Sequence, residues 1–336
     1  MKKSKMMPQN DCLIRVQDLK KWFPMEEGLF SALFRKGQPN HLKAVDGVSF
    51  EIKQGEILGL AGESGCGKTT TGMTILRLYE PSSGKVLFRN KDIVGLSARK
   101  LKAFRREMQI IFQDPYQSLN PRFTVLDTIR EPLDIHRIGT DDERMDRVLL
   151  SLERAGLPPS RDFLEVYPHQ LSGGQRQRVV IAKAVVIEPK FIVADEPVSM
   201  LDVSIRAGIL NLLRKFANEM GMAILYISHD LSTIRYICNR TAVMYLGRIV
   251  EIGPTEEIIN RPSHPYVHAL LSAVPVPDPF YKRKRVEISG EVLAPIDLPM
   301  GCRFGLRCSK ASSMCLRDEP ALKDLGNGHQ VACHLV

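Results

Sequence analysis

No run of apolar residues in this chain approaches the ~18 to 20 needed to cross a bilayer, and the longest, such as Met222 to Ile227, is strand-sized. A membrane-spanning chain is thereby excluded. The basic opening, MKKSKMMPQNDCLIRV, lacks the apolar stretch of a secretory signal, which predicts residence in the cytosol. Thiols stay reduced there, so the seven cysteines call for an explanation other than disulfides. No internal repeat is evident. What is present suits a globular protein: 336 residues, 44% hydrophobic and 25% charged, enough to bury a sizeable core. A formal charge of +9 fits either a nucleic-acid binder or a protein on an anionic membrane face, and charge alone does not choose.

Residues 11 to about 270 alternate strand-like apolar runs with amphipathic helix-like runs, the pattern of an α/β domain with a largely parallel sheet. Ile57 to Ala61, Phe191 to Ala194 and the run ending at Ser228 read as strands. Ile205, Ile209, Leu212, Leu213 and Phe216 recur on one helical face, as core packing requires. Glu26 to His41 reads as a loop inserted between the first strands. From Pro275 the texture changes to VPVPDPFYKRKR and then to a cysteine-containing tail, which predicts a small appended domain over 275–336 with a solvated basic run at Lys282 to Arg285.

Three passages carry chemistry. GESGCGKT, from Gly62 to Thr69, follows a strand and precedes a helix, the arrangement of a phosphate loop. Its glycines let backbone N–H groups curl around phosphate oxygens, aided by the positive end of the helix. Gly62, Glu63, Ser64, Gly65, Cys66, Gly67, Lys68, Thr69 and the adjoining Thr70 form the candidate cradle. Lys68 is expected at the β- and γ-phosphates and the Thr69 hydroxyl at Mg²⁺, with Cys66 a small spacer. The strand ending in Asp195 and Glu196 places two carboxylates where they are costly unless a cation or a reaction uses them. Asp195 suits Mg²⁺, and Glu196 suits a general base polarising the water that attacks a γ-phosphate.

Leu171 to Gln175 reads LSGGQ, and with it the chain resembles the ATP-binding-cassette (ABC) ATPases. The resemblance implies an α/β phosphate-loop NTPase core with a helical signature subdomain, working as a dimer. Ser172 and Gly174 would reach the γ-phosphate held by the opposite protomer. Gln113 resembles the Q-loop glutamine, which touches the metal in a loop that meets the membrane subunit. His229 resembles the switch histidine at the γ-phosphate, and Asp202 the D-loop aspartate, although Met200 stands where the family usually has alanine. An aromatic near the first strand turn would stack on adenine; Phe23 is preferred by alignment of the Asp18 to Lys21 run, with Trp22 its rival.

Two further passages are similar to the ATPases of dipeptide and oligopeptide permeases: Gln113 to Arg122, and His264-Pro265-Tyr266 followed by Cys302, Cys308, Cys315 and Cys333. That branch implies a peripheral protein on the cytoplasmic side of the membrane. It would pair with a paralogous ATPase beneath two membrane permease subunits, fed by an extracytoplasmic solute-binding protein. Nickel, glutathione and sugar-oligomer importers share the branch, so the solute stays open. The charge would also suit a non-transport ABC ATPase acting on nucleic acid or ribosomes. One phosphate loop, one LSGGQ and no sustained heptads between Lys68 and Leu171 argue against that, and no nucleic-acid partner is expected. The spacing C-x₅-C-x₆-C-x₁₇-C suits a tetrahedral zinc or a four-iron cluster, and the resemblance favours [4Fe–4S]. Arg303 and Leu306 replace prolines common in the branch, which predicts a less rigid loop. Cys12 and Cys238, outside the set, are expected to be buried.

Overall fold

The computed structural model describes residues 12–25, 41–273, 296 and 298–336. Most of the Glu26 to His41 loop and the Lys282 to Arg285 run lie outside the described residues. In chain order the strands are β1 (Cys12–Pro24), β2 (His41–Lys53), β3 (Ile57–Ala61), β4 (Ser83–Phe88), β5 (Lys91–Asp92), β6 (Met108–Ile111), β7 (Phe191–Asp195), β8 (Ala223–Ser228), β9 (Arg240–Tyr245), β10 (Arg248–Pro254), β11 (Lys323–Asp324) and β12 (Gln330–Val331). The helices are α1 (Lys68–Ile75), α2 (Ala98–Glu107), α3 (Pro115–Ser118), α4 (Val125–His136), α5 (Asp141–Arg154), α6 (Gly173–Val185), α7 (Val203–Met220), α8 (Leu231–Ile237), α9 (Thr255–Asn260), α10 (Pro265–Ala273) and α11 (Ser313–Arg317).

Two sheets organise the chain. An antiparallel sheet has the order β2-β1-β4-β5, and a larger one runs β11-β12-β10-β9-β3-β8-β7-β6, parallel from β9 through β6. The parallel strands are apolar on both faces because both are covered, one by helices α4 to α8 and the other by the antiparallel sheet with α1: all residues of β3, β7 and β8 are buried. Fully burying a side chain such as Leu58 or Ile192 contributes about 1.5–3 kcal/mol. Ile209, Leu212, Leu213 and Phe216 of α7 are buried as their spacing predicts, while Ile205 is only partly so.

Helices α4, α5 and α6 form the helical subdomain. Each begins at a reciprocal cap: Thr124 with Asp127, Thr140 with Glu143, and Ser172 with Gln175. Their apolar residues, among them Ile129, Leu133, Val148, Leu152 and Val179, join the core under β6 and β7. The tail attaches through the sheet itself. Strand β12 pairs antiparallel with β10, Glu251 opposite Val331, and β11 pairs with β12. Cys238 is buried as expected; Cys12 is only half-buried, its thiol donating to the Ile14 carbonyl.

Candidate functional site

Strands β3, β7 and β8 run in the same direction, so their carboxyl ends gather the residues that follow them. After β3 the chain turns through Gly62 (φ +150°) and Gly67 (φ +104°) into α1. A side chain at either position would strike backbone, Met244 O at 2.3 Å from Gly62 and Ala44 O at 2.0 Å from Gly67. Gly65 also has positive φ, yet a Cβ there would meet nothing within 4 Å, leaving open space over the loop.

The Lys68 side chain curls back into this loop. Its ammonium donates to the carbonyls of Gly62 (2.9 Å) and Glu63 (2.8 Å) and has no carboxylate partner among the described residues. It is 5% exposed. Its ammonium also lies 3.9 Å from the Cys66 sulfur, and a buried cation satisfied only by such neutral groups is costly until an anion arrives, which is the electrostatic demand of a phosphate site. The neighbouring Cys66 thiol is pushed up by burial, consistent with a spacer and not a nucleophile. Thr70 follows on α1, its carbonyl accepting from the Thr74 hydroxyl.

Across from the loop, the Thr69 hydroxyl donates to Asp195 Oδ1 at 3.1 Å. Burial raises the Asp195 pKa and nearby Glu196 adds to it, with Thr69 and Lys68 acting the other way. A buried carboxylate beside a hydroxyl is a donor set that fits a hard divalent cation. Glu196, the next residue, sits at φ +45°, a conformation that non-glycine residues hold only when their surroundings impose it. Its N–H donates to Ile227 O of β8, and its carbonyl accepts from Ser199. Its carboxylate is held from two sides: Gln113 Nε2 donates to one oxygen (3.2 Å), and His229 Nδ1 lies 2.8 Å from the other. The sequence-expected acid, glutamine and histidine, drawn from three separate loops, thus meet at one carboxylate.

The other candidates lie elsewhere on the chain. Ser172 is exposed; its hydroxyl accepts from Gln175 N–H at the start of α6, and Gly174 is buried where a Cβ would meet Ile205 at 2.8 Å. Asp202 is exposed and precedes α7 without a side-chain cap bond, and Met200 beside it is 58% exposed. Both adenine candidates are half-buried. The Trp22 indole N–H donates to Asp46 (3.0 Å) under Lys43, whereas Phe23 packs edge-on against Tyr79.

Sequence reasoning missed Arg176. It is buried, donates to Pro168 O and Leu171 O, and lies 3.9 Å from the ring of Tyr116, so it joins the LSGGQ helix to the loop after Gln113. Its place one residue after the motif was the local sequence signal, and its burial and its partner follow only from the fold. The tail also departs from expectation. Arg303 does not loosen its loop, because its guanidinium is buried and bonded to Asp46, Leu246 O and Glu319. Among the described residues no three His, Cys, Asp or Glu side chains stand where one metal ion could be held, which supports neither a zinc nor the expected iron–sulfur cluster at the four cysteines. The four thiols are neighbours nonetheless. Burial, with Cys315, Cys333 and Cys308 nearby, pushes the Cys302 thiol up to about 11.

A buried lysine in a glycine loop, a threonine–aspartate pair and a braced glutamate, on this sheet and with an LSGGQ-capped helix, define an ABC ATPase. Residues 45–199 match the ABC transporter family and residues 250–315 match the oligopeptide/dipeptide transporter C-terminal region. The oligopeptide transport ATP-binding protein AppF of Bacillus subtilis (strain 168) is 46% identical over 97% of this chain and 98% of its own length. The chain belongs to the ATP-binding proteins of the oligopeptide/dipeptide transporter family. Among solved structures it is similar to the ATP-binding cassette MJ0796, a dimer bound to ADP and Pi (TM-score 0.63, 30% identity, 72% of this chain and 99% of that one). It is also similar to cbiO1 of Clostridium perfringens, part of the transporter complex cbiONQ (TM-score 0.63, 29% identity, 75% and 92%).

Proposed function

We propose that this chain binds and hydrolyses ATP to drive peptide import through separate membrane subunits. The carrying observation is the Glu196 carboxylate braced by Gln113 and His229 beside the buried Lys68. In this reading Glu196 accepts the proton of the attacking water, and Gln113 and His229 fix which carboxylate oxygen faces it. Lys68 exchanges its two carbonyl partners for the β- and γ-phosphates. Mg²⁺, held by Thr69, Asp195 and Gln113, would neutralise charge on those phosphates. Phe23 or Trp22 faces the adenine.

The working unit is read as a dimer. Ser172 is exposed and bonded only within its own helix start, which supports a role toward the ATP of a second protomer; MJ0796 is itself dimeric. A paralogous ATPase is the proposed second protomer, beneath two permease subunits that receive peptide from an extracytoplasmic binding protein. The chain would lie on the cytoplasmic side of the membrane; no helix among the described residues is long and apolar enough to cross it. Tyr116, 68% exposed between Gln113 and Arg122, supports docking of a permease there. The domain division at about residues 270 to 275 is part of the same reading.

The test is reconstitution. Vesicles holding the permease subunits and binding protein should take up labelled oligopeptide with ATP only when this chain and its partner ATPase are added. Uptake of nickel but not peptide would sink the peptide assignment, and hydrolysis stimulated by nucleic acid in place of permease would sink transport. The four cysteines are read as ligands of an iron–sulfur cluster, supported by their mutual proximity. Anaerobically purified protein should then be brown, losing broad absorbance near ~400 nm in Cys308→Ser; colourless protein without iron would rule the cluster out.

A further inference from the structure

The segment from Cys302 to Cys308 touches the nucleotide site at two places, through two arginines that the cysteine spacing encloses. At one end, Arg307 donates to Glu63 Oε2 (3.1 Å) and to the Tyr245 hydroxyl (3.2 Å). Glu63 is the second residue of the phosphate loop. Its backbone N–H is engaged as well, donating to the Tyr266 hydroxyl at 3.0 Å. Its carbonyl holds Lys68. One residue of the loop is therefore fixed at three points, two of them from the chain's last hundred residues.

At the other end, the buried Arg303 guanidinium pairs with Asp46, whose other oxygen accepts from the Trp22 indole. Burial would raise the Asp46 pKa, but Arg303, Arg248 and Trp22 hold it below the usual carboxylate range. Between the two arginines, Phe304 packs 5.4 Å from both Tyr245 and Tyr266 and 5.8 Å from His264. The arginines are thus tied to one aromatic cluster. They cannot shift independently of it without opening buried surface.

We propose that Arg307 and Tyr266 are positioning residues that hold the phosphate loop in its ATP-receptive shape, while Arg303 holds the Trp22 turn. The tail thereby sets nucleotide affinity and not the chemical step. The proposal rests on the ATPase reading above. Pre-organising a loop lowers the ordering cost of binding, so releasing it weakens affinity while leaving the reacting groups, Glu196, Gln113 and His229, untouched.

The experiment uses the full chain and MANT-ATP at equilibrium, with hydrolysis measured in the assembled transporter. Arg307→Gln should raise the Kd about 3- to 10-fold, less than the roughly tenfold or more that a hydrogen bond to a charged group can contribute, because the bond acts on the nucleotide only through the loop it holds. The KM for ATP should rise in parallel and kcat stay within about twofold. Arg307→Lys should recover part of the affinity. Tyr266→Phe, which removes one oxygen and keeps the ring packing, should raise Kd by about 2- to 5-fold. Trp22 is the chain's single tryptophan, so its fluorescence reads the other end. The ATP-induced change should shift to higher concentration in Arg303→Gln. Unchanged Kd in both Arg307→Gln and Tyr266→Phe, or lower kcat at unchanged KM, would overturn the proposal alone. Failure of the wild-type chain to bind MANT-ATP would overturn the ATPase reading and this proposal together.

Discussion

Strands β3, β7 and β8 run parallel, carry no charged residue before Asp195 at the end of β7, and lead at their carboxyl ends into Lys68, Glu196 and His229. Strand β10 runs antiparallel to β9 in the same sheet and carries a fully buried carboxylate, Glu251, in mid-strand. In the first region charge is confined to the tips, where ligand and water reach it. In the second, polarity is internal and satisfied by protein: Glu251 accepts from the N–H groups of Ser263 (2.9 Å) and His264 (2.8 Å) and pairs with His329 of the tail (2.7 Å). The difference separates a region built to meet substrate from one built to hold the tail in place.

The largest expected effect breaks the second region. Glu251→Leu leaves two buried N–H groups and the His329 ring without their acceptor, and should cost about 3 to 5 kcal/mol in urea unfolding. A loss under 1 kcal/mol would mean that the carboxylate does not hold the tail. Next comes pH. Burial, with His268 nearby, lowers the His264 pKa from 6.5 to about 4, and its Nδ1 accepts from Tyr266 N–H. The unfolded chain takes up this proton near pH 6.5 and the folded chain only near pH 4. Stability contributed by neutral His264 is therefore present above pH 6.5 and lost on acidification through that window, by about 3 kcal/mol in full. Urea midpoints measured from pH 7 to pH 4 should show this slope, reduced in His264→Gln.

The smallest effect sharpens the first region. Ser172→Ala should cost about 1 kcal/mol of stability through loss of the α6 cap. It should also weaken ATP-driven pairing of protomers, read by light scattering across dilutions. A stability loss with unchanged pairing would confine Ser172 to capping.

The two regions also differ in how far their sequence could be read. The phosphate loop, β7 and LSGGQ are local: glycine spacing, an apolar run ending in acids, and a serine capped by glutamine all act within a few residues. The geometry at Gly62, Gly67, Asp195 and Ser172 follows from them. The resemblance gave Gln113 a role at the metal and His229 one at the γ-phosphate, but their convergence on Glu196 was not legible, because 83 and 33 residues separate the partners. Contacts of the tail were not legible at all. Tyr266 meets Glu63 across 203 residues and Arg303 meets Asp46 across 257. No periodicity encodes such a pairing, so Arg303 reads in the sequence only as a missing proline. Arg176 was hidden for a similar reason, since its partner Tyr116 lies in a loop whose path depends on the fold.

The central claim is that the braced Glu196 carboxylate performs the proton transfer of ATP hydrolysis, and steady-state hydrolysis by the assembled transporter carrying Glu196→Gln tests it most directly. Glutamine keeps the shape but cannot accept the proton, so turnover should fall by about 10²- to 10⁴-fold while MANT-ATP binding is retained and the ATP-bound dimer accumulates. Near-normal turnover in that variant would contradict the account.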